Sequence, residues 1–167
     1  QTPLTLVLRE LRAAERRAKD EGGRNAFSIS VMKRSGGALR LTSKWGDGLR
    51  YLLKLIEALS APKVSRRAVY NSIEWLKDVP LIEGQSDMAT FLLARQFARQ
   101  GIADRELAGH LVTLALTASN SHAGLSRDGA YAFDWLRNFM TIAEFMAREV
   151  RISVNEEVAN REKGPSV

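Results

Sequence analysis

Apolar positions recur at helical spacing along most of this chain, with glycine and proline marking the breaks. Between residues 4 and 20, Leu4, Leu8, Leu11 and Ala18, supplemented by Val7 and Ala14, repeat every three to four residues. That spacing predicts an amphipathic helix with this stripe turned toward a core. Its opposite face carries Arg9, Arg12, Arg16, Arg17 and Lys19. Gly22 and Gly23 then suit a left-handed C-terminal cap. From 26 to 42 the period changes. Phe27, Ile29 and Val31 alternate with Ser28 and Ser30, and Leu39 and Leu41 alternate with Arg40 and Thr42, on either side of Ser35-Gly36-Gly37. Period two about a Gly-Gly turn predicts a short β-hairpin. The competing reading is a short helix from Asn25 to Arg34 stopped by the glycines.

Beyond Asp47 the helical period returns. Leu49, Leu52, Leu53, Ile56 and Leu59 predict a helix that stops before Pro62, because the residue preceding a proline is pushed out of α geometry. Ser65 caps the next helix, with Val69, Ile73 and Leu76 inward and Pro80 past its end. Ser86 caps a third, in which Ala89, Leu93 and Phe97 share a face and Gly101 provides the stop. Asp104 opens a fourth, bearing Leu107, Leu111 and Leu114, and its lack of charge from Leu111 to Ala118 predicts the most enclosed helix. A loop follows at Ser119 to Gly124. The last long helix is expected from about Asp128 to Arg151, its seam being Ala132, Leu136, Phe139, Ala143, Met146 and Val150.

The expected fold is therefore mainly α: a compact bundle of about six helices with a possible short β-hairpin at 26–42. One helical domain over residues 1–154 with a basic N-terminal third, followed by a loose polar tail over 155–167, fits a chain of 167 residues. A 45% hydrophobic and 26% charged composition is that of a globular protein. The absence of cysteine excludes disulfides, thiolate metal sites and cysteine nucleophiles, and is compatible with a cytoplasmic location. The least charged stretch, Leu107 to Ser126, contains Asn120, Ser121 and Gly124, so it reads as core helix plus loop and not as a membrane span.

The overall charge of +6 conceals a division. Residues 1–67 hold 15 Lys/Arg against 6 Asp/Glu, a net +9, whereas residues 68–167 hold 10 against 13, a net −3. A basic region lowers the free energy of polyanions near it and releases their counterions, so this imbalance points to an anionic partner. The candidate contacts are Arg9, Arg12, Arg16 and Arg17 on the first helix; Lys33, Arg34, Arg40 and Lys44 on the next segment; and Arg50, Lys54, Lys63, Arg66 and Arg67 beyond it. Trp45 and Tyr51 lie beside Lys44 and Arg50, where rings can stack on bases while cations hold phosphates. Two other readings compete: a solvated face partly neutralised by Glu10 and Glu15, with Trp45 and Tyr51 in the core, or an acidic protein surface as the partner. Arg95 and Arg99, one turn apart, form a second basic pair that reads as ordinary exposed helix surface, with a phosphate or partner contact as the alternative.

Signs of catalysis are missing from the sequence. His110 and His122 are the only histidines, separated by an expected helix end and loop, and His110 sits on an apolar helix as a core histidine would. No G-x-S-x-G turn and no G-x-x-x-x-G-K-[ST] loop occurs, and the carboxylates fall at caps and exposed positions. The expectation is a non-catalytic chain without metal or cofactor. Phe133, Trp135, Phe139 and Phe145 spread over more than one face of the last helix, which points either to a protein partner or a second copy or, equally, to a helix covered on both sides by its own domain.

Ser30-Val-Met-Lys-Arg-Ser-Gly-Gly-Ala-Leu and Phe133-Asp-Trp-Leu-Arg-Asn-Phe-Met-Thr-Ile-Ala-Glu resemble the glycine-bearing early segment and the last helix of the small helical subunits of type III CRISPR effector complexes. The likeness covers under a quarter of the chain. It implies a basic, non-catalytic, helical protein lining a nucleic-acid channel. The residues themselves lead to a cytoplasmic subunit that binds RNA or DNA by phosphate contacts within a larger assembly. The alternative is an interaction adaptor docking through its last helix and basic face.

Overall fold

The computed structural model describes residues 4–33, 37–121 and 129–162, the last twelve by their backbone alone. Among the described residues, six helices and one two-stranded antiparallel sheet follow in order: α1 (Leu4–Asp20), β1 (Ala26–Met32), β2 (Ala38–Lys44), α2 (Asp47–Ser60), α3 (Ala68–Leu76), α4 (Ser86–Gln100), α5 (Leu107–Ser121) and α6 (Ala130–Glu162). The fold is a mainly helical bundle carrying a short hairpin, so period two outweighs the helical alternative over 26–42. Pairing runs from Ala26 opposite Lys44 to Met32 opposite Ala38, with Arg34 and the rest of the expected Ser35-Gly36 turn outside the described residues.

One apolar cluster joins α2 through α6 to one face of the hairpin. Leu55, Leu93, Leu111, Leu136 and Phe139 are wholly buried within it, and burying each contributes roughly 1.5–3 kcal/mol. The hub is α6, which packs on α2, α5, α3 and β2, whereas α5 meets α4, α6 and α2. The expectation that α5 would be the most enclosed helix fails because lack of charge is not burial. Thr113, Thr117 and Ser121 face outward and donate their hydroxyls to the carbonyls of Gly109, Thr113 and Thr117, one turn back. A hydroxyl can satisfy itself on its own helix, so α5 presents an uncharged yet polar side to water. α5 runs on through Ser121, three residues into the expected loop. The remainder of that loop lies outside the described residues.

Boundaries elsewhere follow the punctuation to within a few residues. Asp104 Oδ1 accepts from the amides of Glu106 and Leu107 and so caps α5. Ser65 Oγ accepts from the Arg67 amide in a turn that precedes α3. α4 begins at Ser86 itself, behind Gln85, with no side-chain cap. The seam of α6 is buried at Ala132, Leu136, Phe139 and Ala143, but Val150 is exposed. The helical backbone runs on to Glu162, beyond the end expected near Arg151 and into the stretch read as tail. Glu, Ala and Arg are good helix formers, and no helix breaker precedes Gly164-Pro165.

The hairpin has two unlike faces. Phe27, Ile29, Val31, Leu39 and Leu41 turn toward the bundle, and the Trp135 indole of α6 donates to the Thr42 carbonyl at 2.9 Å. Ser28, Ser30, Arg40 and Thr42 lie on the other face, and α1 packs there. Only Ala14 of α1 is buried. Leu4, Val7, Leu8 and Leu11 are exposed, Leu4 to 71% and Leu11 to 64%. α1 is thus rotated from the expected orientation: Ala14 is buried and Glu10 and Arg17 turn to the sheet, while the leucine stripe and the row Arg9, Arg12 and Arg16 both face outward, because the surface it meets offers hydroxyls and a guanidinium, not hydrocarbon. Gly22 lets the chain turn back so tightly, since a Cβ there would stand 2.2 Å from that of Ala26.

Candidate nucleic-acid interface

The basic N-terminal third separates into four groups once folded. The first is structural. Arg17 reaches across the hairpin and donates to Ser30 Oγ at 2.6 Å and Ser28 Oγ at 3.4 Å. Arg40 pairs with Glu10 at 3.1 Å, and Lys44 donates to the Gly22 carbonyl. These three cations fasten α1 to the sheet, so they are not part of one open surface with the other arginines of α1.

The second group is matched locally. Arg50 pairs with Asp47 at 3.1 Å, while Lys54 lies 5.7 Å from the Tyr51 ring centre with Glu57 on the same exposed side of α2. An exposed pair such as Arg50–Asp47 is worth only about 0–1 kcal/mol, yet it offsets the field that Arg50 would present to a polyanion, whereas Lys54 over its ring keeps its charge. Tyr51 cannot stack on a base. It is buried, with the His110 ring 4.3 Å away and nearly parallel. Trp45 is half exposed, its ring centre 5.1 Å from that of Phe27.

The third group is open. Arg9, Arg12 and Arg16 project from the outer side of α1, and none has a carboxylate within 4 Å among the described residues. At 100° per residue they fall within an arc of roughly 60° and span about 10 Å of helix. Neighbouring Lys19 is held by Glu15 at 2.7 Å; that hydrogen bond, then the ammonium charge, keeps the Glu15 carboxyl below its ordinary range. The basic row borders the exposed leucines, so the outer side of α1 is half cationic and half apolar. Lys33 is exposed at the far end of β1, and Arg34 lies outside the described residues.

The fourth group is not legible as a group in the sequence. Lys63, Arg66 and Arg67 are exposed in the segment before α3, and the Ser65 amide donates to the Gln100 carbonyl at 3.0 Å. That bond ties the segment to the C-terminal end of α4, where Arg95 and Arg99 are exposed. None of the five has a carboxylate within 4 Å among the described residues. A signal for their meeting exists only in the stop at Gly101 and the break at Pro62, which bound the elements but do not pair them.

No ion pair joins a cation of residues 1–67 to a carboxylate of the C-terminal hundred among the described residues; the partners of Lys19, Arg40 and Arg50 are Glu15, Glu10 and Asp47. No group of three His, Asp or Glu residues stands close enough to hold a metal ion, and no helix is long and apolar enough to cross a membrane, again among the described residues. Of the passages resembling CRISPR small subunits, Phe133 to Glu144 lies in the packed half of α6, where Trp135, Leu136, Phe139, Met140, Ile142 and Ala143 are buried. Its pattern is therefore that of any helix at the centre of a bundle. Comparison with known proteins finds no matching family model, no matching curated protein and no matching solved structure, so the chemistry of the surface alone carries the functional reading.

Proposed function

We propose that the chain is a non-catalytic, nucleic-acid-binding helical subunit of a larger cytoplasmic assembly, holding the phosphate backbone with Arg9, Arg12 and Arg16 of α1. One observation carries this reading: three arginines share one exposed arc with no carboxylate beside them among the described residues. Guanidinium groups match phosphate oxygens in pairs, and each phosphate they neutralise releases condensed counterions. Contacts of this kind set position and affinity but read no sequence. Arg17, Arg40 and Lys44 support the row indirectly by fixing α1 on the hairpin.

The test is the salt dependence of binding. Replacing Arg9, Arg12 and Arg16 together with Ala should weaken binding to a single strand and flatten the log–log salt slope by about 2, at roughly 0.7 for each phosphate no longer neutralised. An unchanged affinity and slope would remove α1 from the interface. A second reading, an interaction adaptor, is favoured by one specific observation, the uncovered Leu4, Leu8 and Leu11 beside that row. Exposed apolar stripes of this sort mark protein interfaces. Binding to co-purified protein that survives nuclease, with no mobility shift of RNA or DNA at low salt, selects that reading instead.

A further inference from the structure

We infer that the outer face of the α3–α4 pair is a binding site for single-stranded nucleic acid, in which Tyr70 and Phe91 stack on bases while Arg66, Arg67, Arg95 and Arg99 hold the phosphates. This inference rests on the nucleic-acid reading above and deepens it by naming the strandedness and a second surface.

The geometry begins with the connection between the two helices. α3 and α4 pack on one another, and the Ser65–Gln100 backbone bond places the start of α3 against the end of α4, so they run antiparallel. Gly101 closes the contact with φ at 94°, and a Cβ there would come 2.7 Å from the Lys63 carbonyl oxygen. The chain is thus pinned where the cations gather. On α4, Asp87, Phe91, Arg95 and Arg99 succeed one another at four-residue intervals along one outward row, so Phe91 stands between the acidic start of the helix and its two arginines. On the other side, Arg66 and Arg67 immediately precede α3, and Tyr70 stands in its first turn.

Charge on this pair of helices is polarised. Glu74, Asp78, Glu83 and Asp87 all lie toward the opposite end, where α3 finishes and α4 starts, and Glu74 is already paired with Lys77 at 3.2 Å. Near the cationic end, Asp104 caps α5 and Glu106 follows it, two carboxylates against the five cations Lys63, Arg66, Arg67, Arg95 and Arg99. A polyanion is therefore favoured at one end of the pair and repelled at the other.

The rings decide which polyanion. Tyr70 and Phe91 are 62% and 60% exposed; Trp75 and Met88 are exposed as well, toward the acidic end, whereas Phe97 and Leu76 are fully buried. A flat exposed ring beside guanidinium groups offers a stacking platform that any unpaired base can use. Bases of a duplex are already stacked on each other, so a duplex gains only the phosphate contacts. Single-strand preference should follow from the rings and salt dependence from the arginines.

The experiment measures fluorescence anisotropy of the full chain with a labelled oligothymidylate, a duplex of equal length and a labelled polyglutamate peptide. The Tyr70→Ala/Phe91→Ala variant should bind the single strand about tenfold more weakly for each ring removed, with its salt slope and duplex affinity unchanged. The Tyr70→Trp/Phe91→Trp variant should restore single-strand affinity, because stacking needs a flat ring and not a particular one. If the unaltered chain binds the single strand and the double Ala variant binds it equally well, or loses the duplex in the same proportion, this site is overturned while the α1 reading stands. If the unaltered chain binds neither nucleic acid, both fall. Polyglutamate binding as tight as oligothymidylate binding, weakened by the same substitutions, would overturn the site in favour of an acidic protein partner.

Discussion

Helices α1 and α2 carry equally strong amphipathic patterns, and the fold treats them in opposite ways. α2 buries Tyr51, Leu52, Leu55 and Leu59 against α5 and α6, while α1 leaves Leu4, Leu8 and Leu11 in water and turns Ala14, Glu10 and Arg17 inward. The difference lies in what each helix meets. α2 reaches an apolar cluster, where hydrocarbon burial is worth about 25 cal/mol per Å². α1 meets the face of the hairpin opposite the one that the bundle covers. The remaining face offers Ser28, Ser30 and Arg40, which a hydrogen-bonding Arg17 and a charged Glu10 satisfy better than leucines could. An amphipathic sequence establishes that a helix has two sides; the surface it lands on decides which is inside.

The contrast can be broken most severely at the bundle. Leu55→Ala should cost about 2–5 kcal/mol, because Leu55 is wholly buried and its removal leaves a cavity. Urea denaturation reads this directly, and a loss below about 1 kcal/mol would mean that α2 is not packed as described. A middle-sized effect is expected from Arg17→Ala, which abandons two hydroxyl partners; about 1.5 kcal/mol should be lost from the docking of α1. Hydrogen exchange should show α1 amides opening more easily while those of α5 and α6 keep their protection. Equal loss of protection in the bundle would show that α1 is part of the same cooperative unit.

The smallest effect is the sharpest test. Leu4, Leu8 and Leu11 changed together to Gln, which has a similar helix propensity, should alter stability by no more than about 0.5 kcal/mol. The same variant should lose any self-association or capture of protein partners that the unaltered chain shows by sedimentation. Destabilisation by several kcal/mol would place those leucines in a core after all and remove the basis for a docking edge on α1.

Much of the secondary structure is legible because its causes are local. Period two at Phe27–Val31 and Leu39–Leu41 specifies strands, the proline at 62 and the glycine at 101 end helices, and Asp104 caps α5. Less of the candidate site is legible. Arg9, Arg12 and Arg16 share a face simply by their spacing, so their alignment can be read directly. Arg17 cannot be separated from them, because its role depends on Ser28 and Ser30, which are brought opposite only when the hairpin docks. Tyr51 reads beside Arg50 as a ring for bases, yet its position on α2 points it at His110. The hydroxyl side of α5 reads as an apolar one when uncharged residues are counted without their hydrogen bonds.

By itself, the sequence determined that the chain is mainly helical, where most helices start or stop and how unevenly charge is divided, and it favoured a hairpin over a helix at 26–42, since these depend on steric limits and on periodicity within a few residues. Only the tertiary structure decided which side of α1 is covered, which basic residues remain open, and that Lys63 to Arg67 lie against Arg95 and Arg99. Those outcomes depend on meetings between segments far apart along the chain, where each face is assigned by competition for a single apolar core. A pattern along one helix holds no information about what the rest of the chain has already covered.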